Sequence, residues 1–449
     1  MKITPLHDWT ATKIGISPFA LTQEAIRAFQ LRKLREVLSY VQQKSPFYRA
    51  HLGNRAVLLN ALEDLAALPV TTSKDIRNNP LHFICGSQDE IERVVTLASS
   101  GTTGEPKRIF FTRQDQEETM DFFRVGMSAL VEAGDRVLIL FPGERPGSAG
   151  DLLLRALDRI GVRGIPHGLV HDISSTLDII GGEKVDCLVG IPYQILALTR
   201  GKALRRTTRP YRLKSILLSG DYVSPALIAT IEQEWACAAF IHYGMTEMGL
   251  GGAVQCGARV GLHPRESDLY FEIIDPVTSV SVPPGEEGEI VFTTLTTGGM
   301  PLIRYRTGDV SRFLPDPCLC GTMLRRLDRI KDRVSGSVEL AEGARLTMPD
   351  LEDALCPIEG LLGFSATIDR YSTQERLTVR AEFLESHRDA AIRALDAALN
   401  TLPAIRVARA TSALIVSVET GSGYTLGTAG LSKRRILDQR SLSVVPAEL

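Results

Sequence analysis

The sequence has no apolar run of about 18 residues or more, the length a membrane-spanning helix needs. Its strongly apolar stretches, such as Val137–Phe141, are strand-sized. Cysteine is scarce, with seven residues in 449, and the count is odd. A disulfide scaffold is therefore excluded, and a reducing cytoplasm is the expected compartment. Net charge is close to absent at −2. No global basic field exists to draw nucleic acid or anionic lipid, so neither is an expected partner, and any phosphate site must be local. The first residues, Met1–Asp8, contain no apolar leader core and read as mature sequence. No internal repeat or low-complexity tract is evident. What remains is an ordinary globular composition, 44% apolar and 23% charged. At roughly 100–200 residues per domain, it is long enough for more than one domain.

Apolar residues recur at helical spacing over 23–41, at Leu31, Leu34, Val37, Leu38 and Val41. A break at Ser45-Pro46-Phe47-Tyr48 follows. Leu68–Ile76 reads as a loop entering a helix, with Thr72 or Ser73 as its cap. From Val94 to about Ser311, β-type runs (94–97, 108–112, 137–141, 187–190, 215–219) alternate with helical stretches (114–132, 150–161, 225–235). That order predicts an α/β architecture with a largely parallel sheet. Residues 269–291 turn β-rich around Pro283–Gly288, as an appended meander. Beyond residue 331 the pattern resets. A helix at 348–355, β-type runs at 364–369 and 376–382, a helix at 388–399 and a strand at 413–418 predict a small α+β domain. The expectation is a large multi-layered α/β domain, 1–330, with a β-rich subdomain, followed by a small mobile C-terminal α+β domain, 331–449.

The most informative segment is Ser99-Ser100-Gly101-Thr102-Thr103-Gly104-Glu105-Pro106-Lys107, between two predicted strands. Glycines allow backbone N–H groups to approach an anion, hydroxyls add donors, and the lysine adds a point charge. That combination suits a polyphosphate. The spacing is not that of a Walker A loop, because Pro106 precedes the lysine. The plainer alternative is a flexible Ser/Gly linker.

Three further motifs follow in order: His242-Tyr243-Gly244-Met245-Thr246-Glu247, Tyr305-Arg306-Thr307-Gly308-Asp309 and Asp328-Arg329-Ile330-Lys331. Together with the loop, they resemble the signature motifs of the adenylate-forming superfamily of acyl-CoA synthetases, aryl-acid ligases and peptide-synthetase adenylation domains. Ser45–Tyr48, Leu68–Thr72 and Pro301–Thr307 resemble the phenylacetate–CoA ligase-like branch in particular. The resemblance spans essentially the whole chain. It implies an AMP-forming acid–CoA ligase that activates a carboxylic acid, aryl or small organic, as an acyl-adenylate and transfers it to coenzyme A. Adenylyl transfer without CoA and a catalytically silent nucleotide-binding protein are the alternatives.

The resemblance also implies roles. Ser99, Ser100, Gly101, Thr102, Thr103, Gly104 and Lys107 would hold the β- and γ-phosphates of ATP. Glu247 would ligate Mg²⁺, Thr246 would contact the α-phosphate, and Tyr243 with Gly244 would lie near adenine. Asp309 would accept the ribose hydroxyls and Arg329 would add a second ribose contact. Lys331 falls at the hinge position. In Leu431–Asp438, Lys433 would stabilise the developing adenylate. Ser432 precedes it where relatives carry Gly, the spacing to Asp438 is shifted by one residue, and Arg434 and Arg435 are neighbouring cations. The acid pocket is expected near 141–143, 191–193, 219–221 and 243–249. Taken singly, each of these residues has a plainer structural reading, as a turn, a packed ring or a surface charge.

Cys256-x₆-His263 and Cys318-x-Cys320-Gly321 supply three thiols and one imidazole. This is a tetrahedral Zn²⁺ set, closed and therefore structural, and some proteins of the phenylacetate–CoA ligase-like branch look similar here. The alternative is four unrelated residues with the cysteines as small core hydrophobes. A homodimer is an expectation from the amphipathic N-terminal helix.

Overall fold

Residues 2–53, 59–97, 106–204, 212–334, 336–371, 374–421 and 434–440 are described by a computed structural model. The chain divides into two units that do not follow chain order. One comprises Met1–Asp135, Pro142–Pro166 and Phe240–Lys331; the other comprises Arg136–Phe141, His167–Ala239 and Asp332–Leu449.

In the first unit the helix Gln23–Lys44 starts at Thr22, whose hydroxyl accepts the Ala25 amide at 3.2 Å. Leu34, Val37, Leu38 and Val41 are buried as their spacing predicts, and Ile26, Phe29 and Gln30 extend that face. Gln30 tolerates burial because its side-chain amide reaches the Glu266 carbonyl at 2.9 Å. Ser45 caps the helix Pro46–Leu52, accepting the Tyr48 amide and donating to the His82 carbonyl at 2.8 Å. Thr72, not Ser73, caps the helix Ser73–Asn78 in a capping box with Asp75.

These N-terminal caps aim side chains at a distant strand. The Thr71 hydroxyl donates to the Ile303 carbonyl at 2.7 Å, and backbone bonds join Thr71 to Arg304 and Arg306. Arg304 sits at φ +45°, with its side chain wholly buried. Its guanidinium meets Glu272 at 3.2 Å and donates to the carbonyls of Ala66, Leu68 and Ser279. Burial raises the Glu272 pKa and the Arg304 charge opposes that rise. The Tyr48 hydroxyl accepts the Ile303 amide at 2.8 Å, so Ser45–Tyr48, Leu68–Thr72 and Pro301–Thr307 are joined in one contact.

The strands Ile91–Leu97 and Lys107–Thr112 pair antiparallel, with Leu97 opposite Lys107. The loop expected to bind phosphate closes this hairpin, and its residues 98–105 lie outside the described residues. Thr112 and Asp115 form a capping box that starts the helix Arg113–Met127. The β-rich subdomain is an antiparallel meander of Leu269–Ile274, Gly288–Thr294 and Tyr305–Ser311. Along the last strand Tyr305, Thr307, Asp309 and Ser311 are buried in alternation.

In the second unit Arg136–Leu140, Cys187–Gly190 and Ser215–Leu218 form the predicted parallel strands. They are apolar almost throughout, as a sheet covered on both faces requires. The C-terminal part carries strands in the order Leu414–Thr420, Gln374–Phe383, Leu361–Tyr371, Leu437–Asp438. The helices Met348–Leu355, Arg388–Leu399 and Pro403–Ala410 accompany them. Among the described residues no helix is long and apolar enough to cross a membrane.

Candidate active site and the cysteine–histidine cluster

Lys107 opens the second strand of the hairpin, and its ammonium pairs with the Glu247 carboxylate. The Tyr305 hydroxyl lies 3.3 Å from Lys107 Nζ and donates to Glu247 Oε1 at 3.0 Å. The side chain of Glu247 is only 2% exposed and that of Lys107 13%. A carboxylate this deep needs such partners. Residues from three distant motifs therefore meet at one charged centre. Tyr305 received no role from the sequence; its place at the head of the Thr-Gly-Asp run is the signal that could have marked it.

The segment that presents Glu247 is shaped by glycines. A Cβ on Gly244 would stand 2.0 Å from the Leu250 carbonyl oxygen, so no larger residue fits there. Thr246–Met248 then forms a single 3₁₀ turn, closed by Gly249 in the left-handed region. Tyr243 precedes this turn, and its hydroxyl donates to Asp309 Oδ2 at 3.0 Å. Both residues are buried.

Asp309 follows a β-bulge. Arg306 pairs with Val291 and Val310 with Glu289, so Thr307, Gly308 and Asp309 together face Ile290. Gly308 takes φ +76° and donates its amide to Glu289 at 3.0 Å. The Thr307 hydroxyl donates to the Ile290 carbonyl at 2.7 Å and accepts the Asp309 amide at 3.0 Å. The Thr-Gly-Asp order is thus a bulge whose outcome is the aim of Asp309. Downstream, the Ser311 hydroxyl donates to the Asp328 carbonyl and the Lys331 amide to the Val310 carbonyl. Arg329 donates its amide to Asp328, and Lys331 pairs with Glu287 at the surface.

Among the expected acid-pocket segments of the second unit, a Cβ on Gly220 would lie 3.7 Å from Phe141 and 3.9 Å from Ile191. The Tyr193 hydroxyl pairs with the Cys356 thiol at 3.0 Å. Ser99, Ser100, Gly101, Thr102, Thr103, Gly104 and Lys433 lie outside the described residues.

Cys256, His263, Cys318 and Cys320 are all buried, and their ligand atoms lie within 4.8 Å of one another. Cys256 Sγ is 3.6 Å from Cys318 Sγ, and Cys320 Sγ is 3.7 Å from His263 Nε2. Tetrahedral bonds of about 2.3 Å to sulfur and about 2.0 Å to nitrogen give ligand separations of roughly 3.5–3.8 Å. Nδ1 of His263 is 3.1 Å from the Arg325 carbonyl; donating there, it leaves the Nε2 lone pair facing the sulfurs. Burial pushes the Cys256 thiol up to about 12. At Cys320 burial acts the same way but is outweighed by His263, backbone N–H groups and Cys318, which bring the thiol down to about 6.

The model of the AMP-binding enzyme family matches residues 89–297. The chain is 30% identical to a phenylacetate–coenzyme A ligase of Aromatoleum evansii, over 80% of this chain and 82% of that protein. It is 31% identical to a phenylacetate–coenzyme A ligase of Pseudomonas putida, over 75% and 77% respectively. Among solved structures, 2-hydroxyisobutyryl-CoA ligase in a postadenylation state shares the fold, with a TM-score of 0.78 at 22% identity, covering 94% of this chain and 91% of that one. The chain belongs to the AMP-binding, adenylate-forming enzyme family, in its phenylacetate–coenzyme A ligase-like branch.

Proposed function

We propose that the chain is an AMP-forming acid–CoA ligase acting on an aryl or small organic acid. The observation that carries the reading is the meeting of Lys107, Glu247 and Tyr305, with the Tyr243–Asp309 pair on the same two segments. In the first half-reaction a carboxylate oxygen attacks the α-phosphorus of ATP and pyrophosphate leaves. In the second, the CoA thiol attacks the acyl carbon and AMP leaves. The first step forces two anions together, so the site must neutralise charge.

Lys107, with the hydroxyls and amides of 99–104, takes the β- and γ-phosphates. Glu247 would hold a Mg²⁺, which would supply positive charge beside the phosphates. Thr246 contacts the α-phosphate. Tyr243 and Gly244 lie by the adenine, and Asp309 and Arg329 hold the ribose. Lys433 stabilises the charge that develops on adenylation. Residues 331–449 serve as a lid that turns at Lys331 between the two half-reactions. Two separations in the cysteine–histidine set, 3.6 and 3.7 Å, suit a structural Zn²⁺, which Cys256, His263, Cys318 and Cys320 would hold.

Pyrophosphate release with ATP, Mg²⁺ and a panel of aromatic and short-chain acids tests the reading. Release that requires one acid, followed by CoA-dependent AMP release, is expected. No release with any acid, together with ATP binding unchanged by Lys107→Ala, overturns it.

A further inference from the structure

The basic run at 433–435 offers three adjacent cations, and the sequence does not separate their roles. The structure separates one of them. The Arg434 side chain is only 9% exposed, and its guanidinium carbon sits in the corner of an edge-to-face ring pair, 3.9 Å from the Tyr193 centroid and 4.3 Å from that of Phe364. It pairs with Glu352 at 2.7 Å and donates to the Phe364 carbonyl. The Glu352 side chain is 1% exposed. Burial raises its pKa and the Arg434 charge opposes the rise. The backbone amide of Arg434 donates to Asp221 at 3.3 Å.

These contacts join two stretches of the second unit that are distant in sequence, residues 193–222 and 352–364. Further bonds run between the same stretches. The Tyr193 hydroxyl meets the Cys356 thiol, Arg200 donates to the Cys356 carbonyl at 2.5 Å, and the Tyr222 hydroxyl donates to Asp353 at 3.2 Å. Arg434 occupies the middle of this seam. A guanidinium packed against two rings and paired with a buried carboxylate is fixed in place and already engaged.

We infer that Arg434 is a positioning residue: clamped by Tyr193, Phe364 and Glu352, it latches residues 434–440 to residues 193–222, and the work of Lys433, the preceding residue in the chain, depends on that latch. This rests on the proposed ligase reading, in which Lys433 serves adenylation. Arg434 then matters for acyl-adenylate formation and not for the attack of CoA on an adenylate already made. Lysine cannot replace it, because a single ammonium lacks the planar fork by which separate guanidinium nitrogens reach Glu352 and the Phe364 carbonyl.

The test uses the full chain and its Arg434→Lys and Tyr193→Leu variants, with thermal melting as a control for folding. Adenylation is read as acid-dependent pyrophosphate exchange, and thioester formation as CoA consumption from a synthetic acyl-adenylate. Expected is a loss of about tenfold or more in adenylation, with thioester formation within about twofold of wild type. Equal losses in both half-reactions, or a loss in neither, overturn the latch. If Lys433→Ala leaves adenylation intact while Arg434→Lys removes it, Arg434 touches the nucleotide itself and the latch also falls. A readout that needs no turnover is the rate at which Cys356, buried beneath Tyr193, reacts with a thiol reagent, followed by peptide mapping. Arg434→Lys should raise that rate about tenfold, and an unchanged rate overturns the proposal. Absence of adenylation in the wild-type chain counts against the ligase reading and leaves the Cys356 readout to decide the latch.

Discussion

The Tyr48 hydroxyl accepts the Ile303 amide at 2.8 Å and lies 3.2 Å from the Thr71 hydroxyl. Thr71 spends its own proton on the Ile303 carbonyl, so Tyr48 is the donor to Thr71. Every polar atom of this buried triangle is satisfied. Tyr48→Phe leaves the Ile303 amide and a Thr71 lone pair without a partner. The expected cost is about 1–3 kcal/mol in urea denaturation, with the m-value unchanged. A change below about 0.5 kcal/mol would show that the triangle does not hold the N-terminal segments.

Glu247 and Lys107 form a buried ion pair. Glu247→Gln should lower the adenylation rate on the order of 10²-fold and raise the Mg²⁺ concentration needed for half-maximal rate. Lys107→Ala should weaken use of ATP, leaving thioester formation from a synthetic acyl-adenylate nearly intact. Steady-state kinetics over a Mg²⁺ series checks both, and a Glu247→Gln enzyme with wild-type Mg²⁺ dependence would remove Glu247 from metal binding.

Asp309→Asn keeps the shape of the bulge and removes the charge. The expected result is a rise in KM for ATP of roughly tenfold or more, reflecting about 1.4 kcal/mol of lost ribose binding. Tyr243→Phe should give a smaller rise, since it only frees one Asp309 oxygen. Comparing ATP with its 2′-deoxy analogue identifies the contact: the wild type should discriminate and Asp309→Asn should not.

His242 is buried against Phe122 and Phe123, at centroid distances of 6.1 and 6.0 Å. Burial lowers its pKa from 6.5 to about 4. Between these values the unfolded chain takes up a proton that the folded chain refuses, so stability falls as pH falls. The slope is about 1.4 kcal/mol per pH unit, for a total near 3 kcal/mol from this residue. Denaturation at pH 7 and at pH 4.5 should show the loss, and His242→Phe should remove most of it. An equal loss in both proteins would assign the acid sensitivity elsewhere.

For the cysteine–histidine set, elemental analysis should find one zinc per chain, and Cys320→Ser should abolish it. Chelation should lower the melting temperature by several degrees, because the metal binds only the folded form. A metal-free wild-type chain with an unchanged melting temperature would rule out the site.

Much of the fold follows from local signals. Pro225–Trp235, Arg388–Leu399 and Met348–Leu355 lie where helical periodicity places them, because each buries one face and exposes another. The helix Pro192–Leu204 escapes such reading. Residues 192–200 are buried on every side, so no polar stripe betrays a helical period. Candidate site residues are legible as types in order, since phosphate and ribose chemistry restricts the choice. Their partners are not. Nothing near Asp309 in the sequence points to Tyr243, which is 66 positions away, and nothing near Arg434 points to Tyr193. Such pairs are set by tertiary packing, which a local pattern does not encode.

The salt bridge between Lys107 and Glu247 gives the site a chemistry of its own. With its positive charge already answered from within, the pocket does not stand open as bare bait for any passing anion. Inorganic phosphate, which brings no metal for the carboxylate, must break the bridge and gives little back. On the proposed reading, a nucleotide arriving with Mg²⁺ would satisfy both halves at once, phosphate to the lysine and cation to the glutamate. On that reading, recognition would be an exchange of partners that favours a metal-bound triphosphate over a bare anion.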